Sequence, residues 1–169
     1  MSAASTSVSV SRVESSDLRT GSALMALAAL GFIGYAIIFF VRNFTDSFLE
    51  LGIGANEVSA GKDQIVEFSP SLYHYIGHLH IAVSGFIAAT GLAVVFLVWF
   101  GVRRGLLWAW VGAVAAPVLG LVVALPAHYP NGFDTIGHLG LIYLAVLIFV
   151  AGALLSLRAL LVDAREQRR

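Results

Sequence analysis

Five histidines carry the chemical potential of this chain, and they are clustered. His74 and His78 stand four residues apart, which on a helix puts both on one face, one turn above the other. Asp134 and His138 stand in the same relation, and His128 lies a few residues upstream of them. His80 is the fifth. Tyr73, Tyr75, Tyr129 and Glu67 add polar atoms close by in sequence. Neutral imidazoles combined with a carboxylate are the ligand set that zinc, copper, iron and nickel take from proteins. A carboxylate such as Asp134 could equally orient a histidine through its other ring nitrogen rather than touch the metal.

Two cofactor forms follow. In one, a transition metal is held by His74, His78, His128 and His138 with Asp134 nearby, and three histidines with an open position could activate water. In the other, haem b sits between His78 and His138, because haem iron takes axial histidines; Gly77, Gly85 and Gly140 would make room for the porphyrin. A short echo supports equal placement of these two: Ile76-Gly77-His78-Leu79 is repeated as Ile136-Gly137-His138-Leu139. A cluster of imidazoles could also sense pH. The competing account is that histidine and tyrosine are amphipathic and settle at a membrane surface as anchors and caps.

The elements that must position these residues are apolar helices. The chain has 169 residues, 59% hydrophobic and 12% charged, against roughly 25% charged in soluble domains. Four continuous apolar stretches, about 21–41, 70–100, 106–125 and 135–161, each reach the roughly 20 residues needed to cross a bilayer as helix. Ser69 followed by Pro70 is a helix start signal for the second. The links 101–105 and 126–134 are short, which predicts antiparallel neighbours and hence an all-α, up-down, four-helix transmembrane bundle. Residues 1–20 read as a disordered polar tail, 42–69 as a longer acidic loop, and 162–169 as a basic tail.

Orientation follows from the basic residues. Arg12, Arg19, Arg103, Arg104, Arg158, Arg165, Arg168 and Arg169 fall on one side of the four spans, and only Arg42 and Lys62 on the other. Positive residues mark the cytoplasmic side. Both termini are therefore expected there, and all five histidines at the opposite face. The expected location is a prokaryotic plasma membrane.

Other classes are disfavoured. No cysteine is present, so disulfides, thiolate metal sites and cysteine nucleophiles are excluded. Asp, Glu, Lys and Arg are missing from the middles of the spans, which argues against a pump or proton-coupled carrier. No phosphate loop, HExxH or GxSxG occurs; Gly52-Ile53-Gly54 reads as a flexible turn. No basic field suited to nucleic acid is built. Asn43-Phe44-Thr45 fits a glycosylation sequon close to the membrane. A binding or electron-transfer subunit is favoured over a self-sufficient enzyme. The alternative is a cofactor-free accessory subunit acting through helix packing, for which Gly112, Ala116 and Gly120 supply small residues at four-residue spacing. That seam could serve packing within the chain, self-association or docking to other membrane subunits.

Overall fold

The computed structural model describes residues 16–166. Residues 1–15 of the expected N-terminal tail, and Arg168 and Arg169 of the basic tail, lie outside it. The described chain is all-helical, with no strand among the described residues. Helix α1 spans Ser16–Arg42, α2 Ala55–Val58, α3 Lys62–Phe68, α4 Pro70–Phe100, α5 Leu107–Ala124 and α6 Ile136–Glu166. Four of these, α1, α4, α5 and α6, are long and apolar enough to cross a membrane.

Helix α1 starts at Ser16, inside the segment expected as tail. Asp17 in its first turn complements the partial positive charge of a helix N-terminus, and Arg42 in its last turn complements the other end. Ser69 caps α4, its hydroxyl oxygen accepting from the Leu72 N–H at 3.2 Å, with Pro70 the first helical residue. Short 3₁₀ turns over 125–127 and 129–131 carry the chain from α5 to α6.

Small residues set the closest helix contact. A Cβ placed on Gly21 of α1 would lie 2.6 Å from the Ser156 nitrogen, and one on Gly152 of α6 would lie 2.7 Å from the Gly21 carbonyl oxygen. Only glycine lets the two backbones approach so closely, the device by which apolar helices gain van der Waals contact. Met25, fully buried, sits at this crossing, with the Ser156 hydroxyl 3.4 Å from its sulfur. Trp110 of α5 donates its indole N–H to the Ala153 carbonyl at 3.0 Å, tying α5 to α6.

Helix α5 packs most closely over its first half. Its buried residues are Ala109 and Ala113, both in the first half, whereas Leu119, Val122 and Val123 are 68%, 66% and 70% exposed. Within the Gly112, Ala116, Gly120 series, a Cβ on Gly112 would meet the Leu97 side chain at 3.5 Å, and one on Gly120 would meet nothing within 4 Å.

Candidate metal centre

The site is built where the segment after α1 folds back over the ends of α4 and α6. Arg42 begins the construction: its Nε donates to the Leu49 carbonyl at 2.9 Å and its Nη2 to the Glu50 carbonyl at 3.2 Å. Phe48 is 1% exposed and adopts a left-handed φ of 53°. Its ring lies 5.0 Å from that of Tyr73 and 6.0 Å from that of His80. His80 also donates from Nδ1 to the Phe48 carbonyl at 3.2 Å. Three side chains on two helices thus hold a segment that has no secondary structure of its own.

Gly52 completes the bend with φ 76°, and its backbone lies directly on α6. A Cβ there would be 2.5 Å from the His138 nitrogen, so both the conformation and the space require glycine. Gly137 receives this approach, with Gly52 Cα 3.8 Å from where its own Cβ would be. Gly77, its counterpart in the sequence echo, receives Asn43, whose Oδ1 would lie 3.2 Å from an added Cβ. Of the two matched glycines, Gly77 is the one where a Cβ would be closely approached, whereas at Gly137 it would have ordinary van der Waals space. Asn43 of the sequon is itself buried, at 7% exposure.

His138 lies at the start of α6, where the Thr135 hydroxyl oxygen accepts from its backbone N–H at 3.3 Å. Its ring is buried, with 2% exposure for the residue. Nδ1 sits 2.8 Å from the Leu51 carbonyl oxygen, and Nε2 sits 3.3 Å from Glu50 Oε2. His128, half-buried in the turns after α5, places Nδ1 2.9 Å from the Ala124 carbonyl oxygen. The two imidazole rings are 5.0 Å apart.

Carbonyl oxygens only accept, so each Nδ1 carries a hydrogen and donates. In its neutral form each ring then presents an Nε2 lone pair. A histidine that ligates a metal through one nitrogen typically donates its other N–H in this way, which fixes tautomer and ring orientation. Potential ligand atoms of Glu50, His128 and His138 all fall within 4.8 Å of one another, and this group could hold a metal ion. Ligand atoms of a tetrahedral zinc with bonds of about 2.1 Å are about 3.4 Å apart. The Glu50–His138 edge, at 3.3 Å, already has that length.

The residues singled out in the sequence distribute unevenly around this group. His128 and His138 belong to it. His74, His78 and Asp134 are exposed and lie outside it. His74 has the Tyr73 ring at 5.5 Å. Glu67 is exposed on α3, whereas the carboxylate that arrives is Glu50. In sequence Glu50 is one acidic residue among five in the long loop. Its partner signals were Arg42, eight residues earlier, and Gly52, which looked like a flexible turn.

Set against known proteins, the chain matches no family model, no curated protein and no solved structure.

Proposed function

We propose that this chain is a polytopic membrane protein that binds a divalent transition metal through Glu50, His128 and His138 at its extracytoplasmic face. The observation that carries the reading is the convergence of Glu50, His128 and His138, with Nε2 of His138 3.3 Å from Oε2 of Glu50 and the Nδ1 hydrogen already committed to Leu51. Either a hydrogen on Nε2 or a metal cation can join these two atoms. His128 adds a third donor with the same tautomer, which a shared proton would not need.

Two histidines and one carboxylate form a set used by zinc and by non-haem iron, with coordination positions left open for an exogenous ligand. The role proposed is metal binding; no nucleophile or separate acid–base pair accompanies the group. Haem between His78 and His138 has less support, since His78 is exposed and Nε2 of His138 is directed at Glu50.

The membrane placement rests on the four apolar helices and on the eight-to-two division of basic residues. An up-down path follows from the short links 101–105 and 126–134, and it puts both termini in the cytoplasm. Helices α4 and α6 have 31 residues each, about 46 Å of helix against a hydrocarbon core of about 30 Å. Their surplus turns would stand in the headgroup region, where His74 and His78 need no partner.

The test is cobalt substitution of detergent-purified, chelator-treated protein. The reading predicts a visible d–d spectrum at one equivalent of Co²⁺, lost in Glu50→Gln and His138→Ala proteins. No spectrum in the wild type, or an unchanged one in both variants, would refute it. A Soret band in untreated protein would favour haem instead.

A further inference from the structure

Between α1, α4, α5 and α6 lies a cavity of about 430 Å³, within the size range of small-molecule sites. It exists because α5 is held at its first half and stands away from the other helices at its second. The α5 wall carries Ala116, Gly120 and Ala124 at four-residue spacing with Pro117 and Leu121 beside them, and His128 follows in the turns after the helix. The α4 wall runs from Val83 to Val94, twelve residues with a rise of about 16 Å. The cavity is therefore elongated along the helices and apolar for most of its length. Small residues dominate the α5 wall, and nothing lies within 4 Å of a Cβ added at Gly120.

Polar groups come to the cavity from Tyr35, Glu50 and His128, with Thr90 at mid-length. Tyr35 is 9% exposed, and its hydroxyl has no hydrogen-bond partner among the described residues. A buried hydroxyl without a partner is costly, and the cavity that Tyr35 lines is where a partner could enter. Glu50 adds a carboxylate there, unfavourable to a second negative charge.

We infer that this cavity binds one uncharged, elongated apolar molecule bearing a carbonyl oxygen at one end, of the kind a tailed quinone provides. The tail lies along α4 and α5, and the carbonyl accepts from the Tyr35 hydroxyl. The inference stands on the cavity and on Tyr35, so it does not require a metal on Glu50 and His128. A fatty carboxylate has the same tail and an oxygen head, but Glu50 repels it.

Native mass spectrometry of chelator-treated protein released from detergent tests this, with decyl-substituted benzoquinone and decanoate as probes. The expected result is one quinone per chain, with decanoate at least tenfold weaker. Tyr35→Phe weakens the quinone adduct about tenfold, the loss of one hydrogen bond. Gly120→Leu fills the tail channel and abolishes it. Both variants keep the wild-type unfolding midpoint and, where zinc binds the wild type, its zinc uptake. No saturable quinone adduct, equal uptake of decanoate, or adducts indifferent to Tyr35→Phe and Gly120→Leu would each overturn the inference. Quinone binding without zinc binding would refute the metal centre alone.

Discussion

His138 Nε2 lies 3.3 Å from Glu50 Oε2, although 88 residues separate them in the chain. Everything around the pair serves to bring a loop carboxylate to a buried imidazole. Arg42 and His80 grip the carbonyls of Leu49, Glu50 and Phe48, and Leu51 takes the Nδ1 hydrogen of His138. A site assembled by backbone carbonyls is sensitive to the loop's conformation more than to its composition.

Gly52→Ala should be the most damaging single change in that loop. An alanine must adopt φ 76° and place its Cβ 2.5 Å from the His138 nitrogen. We expect a loss of at least about 2 kcal/mol, read as a lowered unfolding midpoint in detergent. Metal affinity should fall with it, because Glu50 is displaced. Wild-type stability in this variant would show that the loop does not lie on α6.

Arg42→Lys tests the guanidinium's two-pronged grip. Lysine keeps the charge but cannot donate from two fixed nitrogens to the Leu49 and Glu50 carbonyls. Metal affinity should drop about tenfold, in the range for groups that position ligands, with coordination unchanged in the cobalt spectrum. An affinity equal to wild type would mean that Glu50 is held by other contacts.

Much of this architecture is legible from residue types. The four long helices follow from uninterrupted apolar runs, and Ser69-Pro70 marks the start of α4. His128 and His138 are visible as candidate ligands because imidazoles are few and clustered. Glu50 is not, because its arrival depends on two left-handed residues, Phe48 and Gly52, and on contacts from helices that begin 20 and 86 residues after it, at Pro70 and Ile136. No local pattern encodes such a return. The small-residue signal has the same limit: Gly112, Ala116 and Gly120 show a helix face that admits close approach, but not what approaches it. The tight crossing forms at Gly21 and Gly152.

That crossing supplies a stability prediction. Gly21→Ala sets a methyl 2.6 Å from the Ser156 nitrogen and should cost about 1–3 kcal/mol through overpacking. Gly120→Ala, with nothing within 4 Å, should change stability by less than about 0.5 kcal/mol. Parallel thermal melts of the two variants check this; equal effects would contradict the α1–α6 contact.

Topology is open to labelling, since the chain has no native cysteine. A cysteine at Asn56 should react with an impermeant maleimide on intact cells. One at Arg165 should react only after permeabilisation. Both positions are exposed, so accessibility reports sidedness and not burial. The reverse pattern would invert the orientation and place the histidines inside.

The central claim is that Glu50, His128 and His138 hold one metal ion. Elemental analysis of detergent-purified protein dialysed against limiting zinc tests it most directly. The account predicts about one zinc per chain in the wild type and in His74→Ala and His78→Ala proteins, with loss in Glu50→Gln, His128→Ala and His138→Ala proteins that remain folded. Absence of zinc from the wild type, or loss only in the His74→Ala and His78→Ala proteins, would contradict it.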